Sequence, residues 1–139
     1  MYEDAKLYLN KYLSLKKEVN RIKRTIDLLR EDIGVSAINY DGLPRSTITS
    51  SPTETTAIII ADEVIELNRR KTEAVEAMLE IEKIIESIES PDVADVLFLR
   101  YIEGRSWKYI EMASFYSEST AMRLHREGLK AVEEMRSAI

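Results

Sequence analysis

Apolar residues recur at alternating intervals of three and four along two long segments of the chain. The first segment runs from Ala5 to Ile33 and the second from Ala57 to Ile88. A period of 3.5 residues is typical of helices that pack side by side at a shallow angle. We therefore predict that residues 1–90 form a long antiparallel helical hairpin. The side chains expected in its core include Ile22, Ile26, Val64 and Ile81.

The ends of these two helices carry their own signals. Gly34 suits the left-handed conformation that commonly stops a helix. Residues 51–54 form a capping box with Pro52 at the first helical position, and Pro91 closes the second helix. The segment between the helices, at about 34–52, is rich in Gly, Ser, Thr and Pro and has no periodicity. Two interpretations stay open for it, a flexible connector and an ordered loop that contacts a partner.

Residues 91–139 are organised differently, as three shorter helices. The first is predicted from Pro91 to Ile102, and the second from about Ser106 to Ser114. The third begins after Ser117, which is a good helix cap, and runs to about Ala138. A short helix, a tight turn and a longer helix form the layout of a helix-turn-helix. The predicted fold class is all-α, with a coiled-coil-like hairpin followed by a three-helix domain.

Composition narrows the class of protein. The 139 residues include no cysteine, which excludes disulfides and thiolate metal sites. No apolar run approaches the roughly 20 residues that cross a bilayer, and the N-terminus lacks the layout of a signal peptide. We therefore expect a cytoplasmic protein that has no membrane partner.

The net charge of -5 does not by itself indicate nucleic-acid binding, but its distribution is informative. Residues 1–32 hold 8 basic and 6 acidic side chains, residues 33–90 hold 5 and 11, and residues 91–139 hold 7 and 8. The acidity is thus concentrated in the second long helix, away from the predicted helix-turn-helix. A nearly neutral DNA-binding domain is expected to hold phosphates weakly as a single copy.

The chain lacks the residue constellations of common enzymes. It has no phosphate-binding loop, no nucleophile beside a base and no cluster of metal ligands, and His125 is its only histidine. A series of glutamates in the second helix falls on solvated faces, where paired catalysis is not expected. We predict no enzymatic activity, no cofactor and no metal. For His125 we expect a packing role or a phosphate contact, and for Trp107 a place in the core.

The stretch DVLFLRYIEGRSWKYIEMASFYSESTAMRLHREGLKAV, residues 95–132, resembles region four of bacterial sigma factors. It is more similar to the sigma-like phage proteins of the ArpU/RinA kind, which regulate late phage transcription. The resemblance implies a DNA-binding regulator of a phage or prophage, with double-stranded DNA and RNA polymerase as partners. The matching residues are Leu97–Ile102, Gly104, Ser106, Trp107, Ile110, Ser117, Arg123, Leu124, His125, Leu129 and Lys130.

Three positions depart from the pattern of such motifs. Glu111 stands where a small residue is usual, Ser114 where a large apolar residue is usual, and Phe115 where glycine is common. A carboxylate between closely crossed helices needs a partner. We therefore expect either a wider crossing with Phe115 filling the gap, or Glu111 at the rim.

The candidate DNA-binding residues fall into two groups. If the third helix enters a major groove, its outward residues read the bases, because Arg can grip guanine and Ser, Thr and Met can meet thymine methyls. This first group is Ser119, Thr120, Met122, Arg123, Arg126 and Lys130. The second group, expected to hold phosphate at the start of the second short helix, is Arg105, Ser106 and Lys108. The alternatives are an ordinary solvated helix face for the first group and simple turn chemistry for the second.

Two helices cannot shield every apolar residue of the hairpin, since Ile58, Ile59, Val75 and Ile84 lie off the seam. We therefore expect a homo-oligomer formed through the hairpin. Two other functions remain open. One is a phage packaging protein such as a terminase small subunit, and the other is a protein-interaction module with a degenerate helix-turn-helix.

Overall fold

A computed structural model describes residues 2–32 and 54–138, and the interhelical segment at 34–52 lies outside these ranges. Helices account for 89% of the described residues and no strand occurs among them, which confirms the predicted all-α class. The five helices are α1 (Glu3–Asp32), α2 (Glu54–Glu86), α3 (Pro91–Leu97), α4 (Trp107–Ser114) and α5 (Glu118–Ser137). Between α3 and α4, residues Phe98–Ile102 form a π-helical turn that continues α3 directly.

The chain divides into two compact units. The larger unit consists of residues 1–16 and 75–139, and the smaller unit of residues 17–74. Helices α1 and α2 each contribute to both units. The sequence predicts two domains that meet at residue 90, and this domain boundary stays a prediction. The core of the larger unit nevertheless takes side chains from both sides of that position.

In the larger unit, the beginning of α1 packs against the end of α2. Leu9 and Ile81 are buried there, and the Tyr12 hydroxyl donates a hydrogen bond to Oε1 of Glu82 at 3.2 Å. This pairing of an early with a late segment is that of an antiparallel hairpin. The same core cluster includes Leu97 and Leu129, so α3 and α5 pack on it as well.

In the smaller unit, the end of α1 pairs with the beginning of α2. Ile22, Ile26 and Leu67 form its core cluster, with Leu29 and Val64 packed beside them. Of the four side chains predicted in the hairpin core, Ile22, Ile26 and Ile81 are buried and Val64 is half-buried. The predicted seam is therefore confirmed in each unit.

The C-terminal helices hold a second core cluster and one close helix contact. Val93, Val96, Ile110 and Leu124 form the cluster. On α5, a Cβ added at Gly128 would lie 2.8 Å from Cγ of Leu97. Only a residue without a side chain fits at that distance.

Candidate nucleic-acid interface

Two serine caps define the helix-turn-helix formed by α4 and α5. The Ser106 Oγ accepts a hydrogen bond from the Tyr109 amide at 3.2 Å, and the Ser117 Oγ accepts one from the Thr120 amide at 3.2 Å. Both serines have extended backbone conformations, as N-caps require. Both predicted helix starts are thus confirmed.

One face of α5 anchors it to the rest of the larger unit. Four residues on this face are buried, and Ile110 of α4 is fully buried against the same side. Because this face is fixed by packing, the opposite face is held in a defined orientation. The inward residues are Ala121, Leu124, Gly128 and Val132.

The outward face of α5 carries a row of polar and basic side chains. Ser119, Arg123, Arg126 and Lys130 are exposed, and their spacing of four, three and four places them on one side of the helix. Thr120 and Met122 are half-buried at the two margins of this row. The structure therefore brings four of the six proposed base-reading residues together on the exposed face.

Arg123 has a partner on its own helix. Its Nη1 lies 3.0 Å from Oε1 of Glu127, one turn later, and both side chains are about half-exposed. An exposed pair at this spacing contributes only about 0.3–0.5 kcal/mol. Such a pair is easily exchanged, so Arg123 is available to a stronger acceptor such as a guanine edge or a phosphate.

The three residues proposed to hold phosphate lie at the start of α4, but they differ in their roles. The Ser106 hydroxyl caps the helix, so its oxygen is engaged with the Tyr109 amide. The Arg105 guanidinium stacks on the Tyr109 ring at 4.4 Å and forms an ion pair with Glu103 at 3.1 Å. Lys108 is exposed in the first turn. Arg105 and Lys108 therefore supply the positive charge at this helix end.

A stacked cluster of aromatic and cationic side chains supports the junction of α4 and α5. The Arg100 guanidinium lies over the Trp107 ring at 4.7 Å, and its Nη1 donates to the Arg105 carbonyl oxygen at 3.0 Å. Trp107 is half-buried and meets the His125 ring edge-on at 4.7 Å. The Tyr101 hydroxyl lies 2.7 Å from Nε2 of His125.

His125 is a neutral packing residue in this cluster. Burial is the main cause that lowers its pKa from 6.5 to about 4, and the nearby charges of Lys6, Arg100 and Arg126 contribute to this shift. A neutral imidazole has one nitrogen that accepts, which suits a hydrogen bond from the Tyr101 hydroxyl. Of the two roles expected for His125, the structure favours packing over a phosphate contact.

The environment of His125 also identifies two basic residues to which sequence reasoning assigned no role. Lys6 comes from α1 and Arg100 from the π-helical turn, yet both act electrostatically on the same ring as Arg126 of α5. Three cations from three elements thus lie near the His125 ring. Arg100 lies within the stretch that resembles sigma region four, so that resemblance was a usable signal. No signal in the sequence links Lys6 to α5, because only tertiary packing brings them together.

Exposed apolar side chains occupy α4 and the turn that follows it. Met112 is 70% exposed, and Phe115 is 94% exposed in a left-handed conformation with φ 59°. The expectation that Phe115 fills a gap between crossed helices is therefore wrong, because its ring points into solvent. Glu111 is half-buried, which agrees with the alternative that it lies at the rim.

Among residues 2–32 and 54–138, no group of three or more potential ligands is placed to hold a metal ion. None of the helices in the same ranges combines the length and apolar content needed to cross a membrane.

Residues 55–133 match the family described as a protein of unknown function, DUF1492. The matched segment includes nearly all of α2, the complete α3, π-helical turn and α4, and most of α5. No curated protein and no solved structure matches the chain significantly. Since the match covers more than half of the 139 residues, the chain belongs to the DUF1492 family.

Proposed function

We propose that this protein is a DNA-binding transcriptional regulator that reads the major groove with α5. The observation that carries the proposal is the exposed row of Ser119, Arg123, Arg126 and Lys130, set on a helix whose other face is buried. Arg is the side chain that most often makes two parallel hydrogen bonds to guanine. A rigidly held helix that presents such residues is suited to base recognition.

The sequence resemblance supports the same function and narrows its setting. Residues 95–132 resemble sigma region four and the sigma-like phage regulators of the ArpU/RinA kind, and this stretch lies inside the family match. We therefore place the protein in the control of late genes of a phage or prophage. Its partners in this proposal are double-stranded DNA and RNA polymerase, and its compartment is the bacterial cytoplasm.

The binding mode we propose divides the basic residues by role. Arg123 and Arg126 contact base edges, whereas Arg105 and Lys108 hold phosphates beside the start of α4. One copy has few phosphate contacts, because residues 91–139 hold 7 basic and 8 acidic side chains. Useful affinity then requires two linked copies or help from RNA polymerase. Linking two weak modules can raise apparent affinity by roughly 100-fold or more.

Genome-wide mapping of bound DNA for the tagged full chain in its host is the first experiment, because it supplies the target site. Arg123→Ala and Arg126→Ala are then compared with the parent on that site and on random duplex at several salt concentrations. Loss of a base contact is expected to cost about 1–3 kcal/mol on the mapped site only. Loss of a phosphate contact weakens binding to both duplexes and reduces the salt slope by about one.

The matched control is Arg24→Ala, which removes the same exposed side chain from α1 in the smaller unit. It is expected to bind like the parent at every salt concentration. If both α5 variants also bind like the parent, α5 is not the DNA-reading helix and the proposal fails.

A second candidate function is that of a protein-interaction module, and the exposed Met112 and Phe115 favour it. Large apolar side chains in solvent commonly mark protein-binding surfaces. DNA binding by the parent distinguishes the two functions, because a pure interaction module shows no salt-dependent DNA binding at all. In the regulator that we propose, the variant Met112→Ser with Phe115→Gly binds DNA like the parent.

A further inference from the structure

Helix α2 carries a second series of positions at the spacing of a coiled coil. Ile58, Ala61, Ile65, Asn68 and Thr72 follow one another at intervals of three, four, three and four, and we call these five residues the outer seam. At about 100° per residue, the outer seam lies roughly 100° around α2 from the seam that packs on α1. One helix thus presents two coiled-coil faces, and α1 covers only the first of them.

The outer seam is open to solvent in the smaller unit. Ile58 is 56% exposed and Ile65 is 68% exposed, whereas Leu67, in the seam that packs on α1, is buried. The spacing continues in the sequence to Val75 and Leu79, which belong to the larger unit and are exposed there. Apolar residues sustained at this spacing are typical of a surface that packs against another helix.

The polar members of the outer seam point to what covers it. The Thr72 hydroxyl donates to the Asn68 carbonyl oxygen at 3.0 Å, so its donor is already satisfied when the surface is buried. The Asn68 amide has both a donor and an acceptor, so it complements a second copy of itself. Once buried, this amide needs a polar partner, and Asn68 of a second copy supplies one.

The charges beside the seam agree with a parallel pair in register. In that arrangement position 71 of one copy faces position 76 of the other, and these are Lys71 and Glu76, of opposite charge. This complementary pair supports the parallel arrangement.

We propose that the outer seam is the surface through which a second copy of this chain binds, with the two α2 helices parallel and in register. This inference rests on the pairing of two copies that the proposed function gives as one route to useful affinity, and it specifies the site and geometry of that pairing.

The first test measures the mass of the full chain by light scattering at tens of micromolar. The parent is expected at twice its 16.0 kDa, and the double variant Ile58→Asp with Ile65→Asp at the mass of one chain. The matched control is Ile59→Asp. Ile59 is 62% exposed on the same helix but lies off the seam, so this variant is expected to keep the parent's mass. Circular dichroism checks that every variant retains its helices.

The second test uses the absence of cysteine in the chain. Thr72→Cys places one thiol in the seam, and a parallel pair in register brings it beside the same thiol of the second copy. Oxidation is expected to convert most of this variant to a covalent dimer. Ile59→Cys, on another side of α2, is expected to stay largely uncrosslinked.

The outcomes separate the proposals. A monomeric parent overturns both the seam and the self-association in the proposed function. If the parent and the double Asp variant are both dimers, the seam is overturned but the pairing of two copies stands. A dimer that requires the seam but does not crosslink at position 72 overturns the parallel register. Loss of DNA binding by the α5 variants bears on the proposed DNA contact and not on the seam.

Discussion

Among the residues that the structure describes, the two compact units differ in how much core each has of its own. The larger unit contains two buried clusters to which all five helices contribute, including the fully buried Leu97 and Ile110. The cluster of the smaller unit consists of Ile22, Ile26 and Leu67, with two partly buried neighbours. Burial of one large apolar side chain contributes about 1.5–3 kcal/mol. Most of the folding free energy is therefore expected to come from the larger unit.

The difference agrees with the separate tasks that the two proposals give to the units. The unit with the deeper core holds α5 and its candidate DNA contacts, where a fixed geometry is useful. The unit with the smaller core leaves an apolar seam exposed, so pairing with a second copy would bury more of its surface. In the proposed function the first unit supports DNA recognition, and in the proposed pairing of two copies the second supports assembly.

The largest expected effect is a difference between matched leucine truncations. Leu97→Ala removes a fully buried side chain from the larger unit and is expected to lower the free energy of unfolding by about 4 kcal/mol. Leu67→Ala in the smaller unit is expected to cost about 2 kcal/mol, because fewer neighbours surround it. Urea denaturation followed by circular dichroism gives both values. Equal losses of stability in the two variants would contradict the expected difference between the units.

The next effect depends on pH and concerns the larger unit, which contains the single histidine. Because the pKa of His125 is lowered from 6.5 to about 4, the unfolded chain binds a proton in that range that the folded chain does not. The contribution of neutral His125 to the free energy of unfolding is complete above pH 6.5. It is lost as the pH falls towards 4, and the total loss is about 3 kcal/mol.

His125→Gln is the control for this pH dependence, since it keeps a hydrogen-bonding group for the Tyr101 hydroxyl without titrating in this range. The difference between the pH profiles of the parent and this variant isolates the histidine from the carboxylates. Hydrogen exchange at pH 5 is expected to increase in the larger unit of the parent. Identical profiles for the two proteins would contradict the burial argument.

A smaller effect sharpens the contrast in packing. Gly128→Ala places a methyl group 2.8 Å from the branch of Leu97, which is itself fully buried and cannot move aside. Overpacking of this kind costs about 1–3 kcal/mol and outweighs the gain of about 1 kcal/mol in helix propensity. Thermal unfolding measures the net loss. In the double variant Gly128→Ala with Leu97→Ala, the loss of stability is expected to be much smaller than the sum of the two single losses. Strictly additive losses would contradict the close contact between Gly128 and Leu97.

The smallest effect has the opposite sign. Phe115→Gly relieves a left-handed residue at φ 59° and removes a ring that is 94% exposed. We expect a gain of about 1 kcal/mol in the larger unit and no change in hydrogen exchange of the smaller unit. Phe115→Ala serves as the control, because it removes the ring but keeps the backbone strain. A gain of the same size in both variants would show that backbone strain is not the cause.

Local signals in the sequence predicted much of the fold. The seam spacing identified the paired faces of α1 and α2, and Ser106 and Ser117 marked the starts of α4 and α5. These features depend on residues within a few positions of one another. Leu9 was missed because a single seam assumes one partner, whereas this part of α1 lies in a core shared with α2, α3 and α5.

The candidate site was less predictable because it depends on tertiary packing. The row on α5 follows from helical spacing alone, but the placement of Lys6 near His125 does not. Of the two alternatives left open at the crossing of α4 and α5, filling by Phe115 does not occur, because its ring is 94% exposed on a left-handed turn residue. The ion pair between Arg123 and Glu127 was readable from spacing, yet its exposure became known only with the structure.

The π-helical turn at Phe98–Ile102 has an evolutionary consequence. Such a turn accommodates one residue more than a regular α-helix of the same length, and here the consecutive Tyr101 and Ile102 are both buried. A relative that lacked one of these five residues would form an uninterrupted helix and turn the following side chains by about 100°. Its tyrosine would then no longer meet the histidine. Insertions and deletions within this family are therefore expected to avoid these five positions wherever the tyrosine and histidine are both present.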